Sequence, residues 1–364
     1  MSKYKVEFTL KQHTPIIHFQ SNQFGATLRA TELKSKFDRF IKLQLIKVDK
    51  NLYEKFASII NNPEIFPEDK GSNAYKIFIE NNSTNILSTP KAYVNAKKEA
   101  DKTAYQAPYF ADMHKSIMTS GSIKVIIKSF NQDLLKLLDA IKDYIFIYEN
   151  FGTRQSKGFG SYLREDISEK EILSIQKKHL NPVFELCSYS DYKAAFISID
   201  TFYKKIKMGI NKPYFKSLLF EYMCSKTNLG WEKKFIKNNF PEVIHGEHQP
   251  AVCETSSEKE YRYIRAVLGL AEHNEFRPQD GKKQIKIKST DGIERFKSPI
   301  TFKIFNNKVY IMFDNSYKEI LNKEFSFSLN RKTKMLKTPQ ENEFNMYKFL
   351  KFIEKEKQLI KEII

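Results

Sequence analysis

Along the chain, hydrophobic and polar positions change period repeatedly, and each change marks an expected element. "KYKVEFTL" (3–10) alternates at period two, as a half-buried strand does. "ATELKSKFDRFI" then shifts to helical spacing and puts Leu33, Phe37, Phe40 and Ile41 on one face, with Thr31 as its cap. "YKIFIE" (75–80) and the β-branched "GSIKVIIKSF" (121–130) read as strands. "NQDLLKLLDAIKDYIFIYENFG" opens on Asn131 as an N-cap, carries the stripe Leu134, Leu138, Ile141, Ile145 and Tyr148, and stops at Gly152. "FGSYLRE" closes the series as a strand. The order is β-α-β-β-α-β, a split βαβ or ferredoxin-like arrangement. An insertion at roughly 81–120 carries Lys91, Tyr93, Lys97, Lys98, Tyr105, Tyr109 and His114.

A polar helix, "SEKEILSIQKKH", leads into the second half. There "KAAFISID" is expected as a strand and "KPYFKSLLFEYMCSKTNLGW" as a helix. "KQIKIKS", "SPITFKIF" and "KVYIMF" read as strands, with "FNNK" (305–308) as a hairpin turn. Met346, Leu350, Ile353, Ile360 and Ile364 recur at helical spacing and predict a final core helix. The expected class is α+β, with two ferredoxin-like (RRM-like) domains, the second degenerate. Their boundaries are 1–165 and 191–364, with a linker helix over 166–190.

Composition narrows the setting. Hydrophobic residues make up 41% and charged residues 29%, enough to bury cores. No apolar run reaches the length of a membrane span, and "MSKYKVEFTL" lacks the features of a secretory signal. Cys187, Cys224 and Cys253 are scattered without a CxxC pair, which fits a reducing cytoplasm. These features predict a cytoplasmic protein with no membrane partner.

A net charge of +18 points to a polyanionic partner, although lysine-, isoleucine- and asparagine-rich usage also follows from an AT-rich genome. Arginine is more selective. There are nine: Arg29, Arg39, Arg154, Arg164, Arg262, Arg265, Arg277, Arg295 and Arg331. Two readings stand beside each other: bidentate grip on phosphate, or structural ion pairs.

"NFGTRQSKGFGSY" (150–162) holds three of the chain's 12 glycines. Gly152, Gly158 and Gly160 allow backbone amides to turn outward onto an anion, Arg154 and Lys157 add charge, and Thr153, Gln155 and Ser156 add neutral donors. It is neither a Walker loop nor a dinucleotide fingerprint, because it lies between a helix and a last strand.

A glycine-rich loop at that place resembles the loop of the RAMP proteins, the RNA-binding subunits and processing enzymes of CRISPR systems. "TPIIHFQSNQFGATLRATELKSKFDRFI", with its Leu33-Lys34 step, resembles the family opening. "RAVLGLAEHNEF" and "RFKSPITFKIFNNKVYIMF" resemble the second domain of the two-domain RAMP subunit of the type III-B (Cmr) complex. Ser35 and Ala271 depart from the usual glycine and proline, and the second half has no comparable loop.

The resemblance implies a non-catalytic subunit that binds guide RNA or the guide–target pair, with single-stranded target RNA and other CRISPR effector subunits as partners. Its expected RNA contacts are Arg29, Lys34, Lys36, Arg39, Gly152, Thr153, Arg154, Gln155, Ser156, Lys157, Gly158, Phe159 and Gly160. An alternative within the same superfamily is a metal-independent endoribonuclease, for which His13, His18 and Tyr4 are the available acid–base set. His245, His248 and Cys253 match no standard zinc spacing, so neither metal nor cofactor is expected.

Overall fold

The alternating start of the chain becomes strand β1 (Lys5–Gln12). Its setting is given by a computed structural model that describes residues 4–17, 27–67, 74–81, 84–88, 117–211, 213–241, 260–270, 274–276 and 285–364. The chain divides into two units. One comprises Met1–Asp200, Thr301–Met312 and Glu362–Ile364; the other comprises Thr201–Ile300 and Phe313–Lys361.

In the first unit β1 is followed by α1 (Ala30–Arg39), β2 (Lys76–Asn81), β3 (Ile123–Lys128), α2 (Gln132–Tyr148) and β4 (Tyr162–Arg164). The sheet order is β2-β3-β1-β4, with antiparallel neighbours throughout. Leu33 and Phe37 of α1 and Leu134, Leu138, Ile141 and Ile145 of α2 share one core with Phe8, Leu10, Val125 and Ile127 of the sheet. Each such side chain contributes about 1.5–3 kcal/mol by leaving water. Helix α2 begins as its sequence indicates, the Asn131 side chain accepting the Leu134 N–H at 2.9 Å. Helix α1 does not: Arg29 is its N-cap, without a side-chain bond, and Thr31 lies inside the first turn.

Past β4, α3 (Glu169–Gln176) starts with a capping box between Ser168 and Glu171, and β5 (Phe184–Ser188) follows. "KAAFISID", expected as a strand, lies within helix α4 (Tyr192–Lys207). Buried Ala195, Phe196, Ile199, Phe202 and Ile206 recur at helical rather than alternate spacing, and Asp191 accepts the Ala194 N–H at 2.9 Å. Strands β6 (Ile300–Phe305) and β7 (Lys308–Phe313) continue a second sheet, ordered β6-β7-β5 and then Lys361–Glu362. Asn306 and Asn307 form the expected turn between them, with φ of 48° and 58°.

The second unit contains a sheet ordered Asn274–Phe276, Ile285–Ser289, Glu324–Leu329 and Lys332–Lys337, antiparallel at each step. Only Leu218–Thr227 of "KPYFKSLLFEYMCSKTNLGW" is helical, because Ser217 caps it late and Tyr214–Phe215 pairs with Ile210–Asn211. The closing helix is also shorter than its spacing suggests. Helix Met346–Phe352 runs into one π-turn, Ile353–Lys357, and Gln358 at φ 52° ends it before Ile360. The fold is α+β with antiparallel sheets. Cys187 is a free thiol. Among the described residues no helix is long and apolar enough to cross a membrane.

Candidate functional site

The glycine-rich segment begins where α2 ends. Buried Asn150 anchors it, its side-chain amide donating to the carbonyls of Gln155 (2.7 Å) and Phe302 (2.8 Å). Phe151, Phe159 and Tyr162 are fully buried around the loop, and Phe159 stacks on Phe196 with ring centroids 4.2 Å apart. Glycine is required here by approach as well as by angle. A Cβ on Gly160 (φ +67°) would stand 2.0 Å from the Phe151 carbonyl oxygen, and one on Gly152 (φ +79°) 2.5 Å from that of Ile17. Gly158 packs against Ile304 and Ile199.

Five of the loop amides expected to face outward are taken up within the chain. The Gly152 N–H donates to both carboxylate oxygens of Glu32, at 3.0 and 3.2 Å. Thr153 N–H bonds the Ile17 carbonyl at 2.8 Å, Gly160 N–H that of Pro15 at 2.8 Å, Lys157 N–H that of Arg154 and Gly158 N–H that of Gln155. Glu32 therefore occupies, from within the chain, the position an external phosphate was expected to take. The Gln155 side-chain amide supports it, donating to Glu32 at 2.9 Å and to the Gly152 carbonyl at 2.8 Å. Burial pushes the Glu32 pKa up, while the Gly152 N–H and Lys36 draw it back down.

The helix cations are also committed. Lys36, only 7% exposed, donates to Glu149 at 2.7 Å and to the Gln155 side-chain oxygen at 3.0 Å. Burial lowers its pKa and Glu149 opposes that shift. Arg39 grips the other Glu149 oxygen but stays half exposed. Lys34 donates to the Tyr75 carbonyl at 2.8 Å and lies over the Tyr75 ring. Lys303, wholly buried on β6, donates to the Glu149 carbonyl at 2.6 Å, and burial drives its pKa well down. Lys36 thus ties α1 to the loop through Glu149 and Gln155, and Lys34 holds the neighbouring backbone at Tyr75. Arg29, Arg154, Gln155, Ser156 and Lys157 are half-buried, and Arg154 adopts a left-handed conformation at φ 56°.

Of the acid–base set of the alternative reading, Tyr4 and His13 are described. Tyr4 and His13 bracket β1, nine residues apart, or about 30 Å along an extended strand. His13 packs edge-on to Phe305, and burial, then Lys303 and Lys11, pushes its pKa down to about 4. His18 lies outside the described residues, as do the insertion's Lys91 to His114, Arg277, and His245, His248 and Cys253. Among the described residues no group of three metal-ligating side chains converges.

Four arginines follow the structural reading. Arg39 pairs with Glu149, Arg164 with Asp143 (3.0 Å), Asp166 and Glu171, Arg262 with Glu343 (2.8 Å) and Glu260, and Arg265 with buried Glu232. The residues missed in sequence are acids and one buried cation: Glu32, Glu149 and Lys303. A usable signal existed for two of them. Glu32 stands in the first turn of α1, directly before the Leu33-Lys34 step, and Glu149 directly precedes the loop.

Comparison with known proteins sets this arrangement in a family. The Cmr1 N-terminal domain model matches residues 3–210, and the Cmr1 C-terminal domain model matches residues 214–363. The chain resembles the crystal structure of Cmr1 from Pyrococcus furiosus in its apo form, at 12% identity over 97% of each chain and a TM-score of 0.41. A weaker likeness, at 13% identity and a TM-score of 0.28, covers 45% of this chain and 60% of a chain in the type III-B Cmr-beta complex bound to cognate target RNA. No curated protein is detectably similar in sequence. The two domain models together span nearly the whole chain, and the chain belongs to the Cmr1 family, RAMP-type proteins of type III-B (Cmr) CRISPR systems.

Proposed function

We propose that the chain is a non-catalytic RNA-binding subunit of a type III-B CRISPR effector complex. It holds guide RNA, or the end of a guide–target duplex, together with single-stranded target RNA, and it contacts other effector subunits. In this reading residues 1–165 form a ferredoxin-like domain and residues 191–364 a divergent second one. Membership of the Cmr1 family and the excess of 18 positive charges support the reading.

The observation that carries it lies in the loop. Arg154 is held at φ 56°, a conformation that costs a non-glycine residue about 1–2 kcal/mol, in a loop that uses glycine at its other left-handed positions. Strain kept by a side chain that glycine would relieve points to a task for that side chain. The task is a phosphate contact, delivered from a loop held in place by the Gly152 N–H on Glu32, the Thr153 N–H on Ile17 and the Gly160 N–H on Pro15.

The test separates strain from function. Arg154→Gly removes the side chain and relaxes the backbone, so its melting temperature should equal or exceed that of the parent. Its affinity for single-stranded RNA, read by fluorescence anisotropy, should fall severalfold, with the log–log salt slope shallower by about 0.7. A variant as stable as the parent that binds RNA equally well removes the loop from the interface.

A further inference from the structure

The sheet of the first unit has a second face, turned away from α1 and α2. Alternation along the strands puts Lys5, Glu7, Thr9 and Lys11 of β1 on it, with Lys124, Ile126 and Lys128 of β3 and Lys76, Phe78 and Glu80 of β2. The register arranges them in rows across the strands. One row reads Lys76–Lys128–Lys5, the next Phe78–Ile126–Glu7, and the third Glu80–Lys124–Thr9.

The first row is unusual. Like charges directly opposite each other on neighbouring strands are destabilising, and this row sets three lysines side by side. Lys5 is relieved by Glu7 at 2.7 Å, which Lys124 also approaches at 3.5 Å. Lys76 and Lys128 have no carboxylate partner among the described residues, and the Lys128 ammonium lies 5.0 Å from the Phe78 ring centroid. A surface shaped by folding alone has no reason to keep that row.

Aromatic rings flank the lysines on both sides. Phe78 is 44% exposed on the row beyond them. Two residues past Lys128, Phe130 is 94% exposed and meets Tyr4, itself 46% exposed, edge to face at 6.1 Å. Ser129 fixes this corner, donating its N–H to the Tyr4 carbonyl and its hydroxyl to that of Ala74. Phe78 opposes Ile126, four residues before Phe130, so the two aromatic stations lie about 13 Å apart along the strand direction.

We propose that this face binds single-stranded RNA, with one base stacked on Phe78, another on the Phe130–Tyr4 corner, and the connecting phosphates on the Lys5–Lys128–Lys76 row. Exposed rings accept any base through its π-face, and a polyanion offsets the repulsion along the lysine row. Exposed rings beside Lys76 and Lys128, which have no carboxylate partner among the described residues, fit a single strand better than an apolar protein segment, which would bury those lysines unpaired. This inference rests on the RNA-binding reading above but uses a surface distinct from the Arg154 loop.

The experiment uses the full chain and fluorescein-labelled oligouridine. Phe78→Ala, Phe130→Ala and the double variant Lys76→Ala/Lys128→Ala alter exposed side chains, and thermal melts verify that each stays folded. Each aromatic variant should lose about fivefold or more in affinity. The double lysine variant should flatten the log–log salt slope by about 1.4, two phosphates' worth. Photocross-linking with 4-thiouridine RNA should mark peptides containing Phe78 or Phe130. If the parent binds RNA while every variant binds within twofold and the adducts lie elsewhere, this inference fails and the subunit reading stands. If the variants keep RNA but lose co-purifying effector subunits, the face is a protein interface and the inference is overturned. A parent chain with no RNA affinity ends both readings.

Discussion

His13 shows what burial does to a single side chain here. Its imidazole sits between the Phe305 ring and the cations Lys303 and Lys11, so the folded state resists protonation until about pH 4. The unfolded chain takes the same proton near pH 6.5, so stability from this site is complete above 6.5 and is lost as pH falls towards 4. Between pH 7 and pH 5 the loss amounts to about 2 kcal/mol. His13→Gln should shed less stability over that interval, by a comparable margin, in urea unfolding at the two pH values. Equal losses in parent and variant would show that the imidazole is not held neutral. Residue chemistry at the loop was only half legible in sequence. Glycines can be recognised alone because their backbone freedom is intrinsic, whereas the roles of Glu32, Glu149 and Lys303 depend on partners 110 or more residues away.

Elements were legible where their signals are local. Asn131 capped its helix, "FNNK" turned its hairpin, and the alternating and β-branched runs of the first unit became strands. Errors arose where burial, not propensity, decided. "KAAFISID" is β-branched enough for a strand, yet its buried positions follow a helical period. Ile360 continues a helical stripe, but the chain leaves the helix at Gln358 and bonds Val183 through Ile363 and Ile364. At this scale the loop is a fixed connector in which Gly152 and Gly160 are each matched to one carbonyl and Gly158 to the Ile304 and Ile199 side chains. Gly160→Ala should therefore cost about 3 kcal/mol or more, through a positive φ and a Cβ driven into the Phe151 carbonyl. Gly292→Ala has the same kind of φ, +73°, with open space around it, and should cost only about 1–2 kcal/mol. Comparable losses for the two in chemical denaturation would contradict the close-approach argument.

For the whole molecule, the charge balance and the two domain matches agree. The chain is of the Cmr1 family, and its excess of cations is large. The placement of the glycine-rich loop after the second helix is one of the features that made the family legible in the sequence. An internal carboxylate, Glu32, takes the Gly152 amide that an external phosphate was expected to take. On the proposed reading the phosphate contacts include Arg154 and the sheet-face lysines Lys5, Lys76 and Lys128. The most direct measurement is the affinity of the full chain for single-stranded RNA across a salt series. Four phosphate contacts predict saturable binding with a log–log slope of about −3. Absence of saturable binding at low salt, or a slope near zero, would contradict the account.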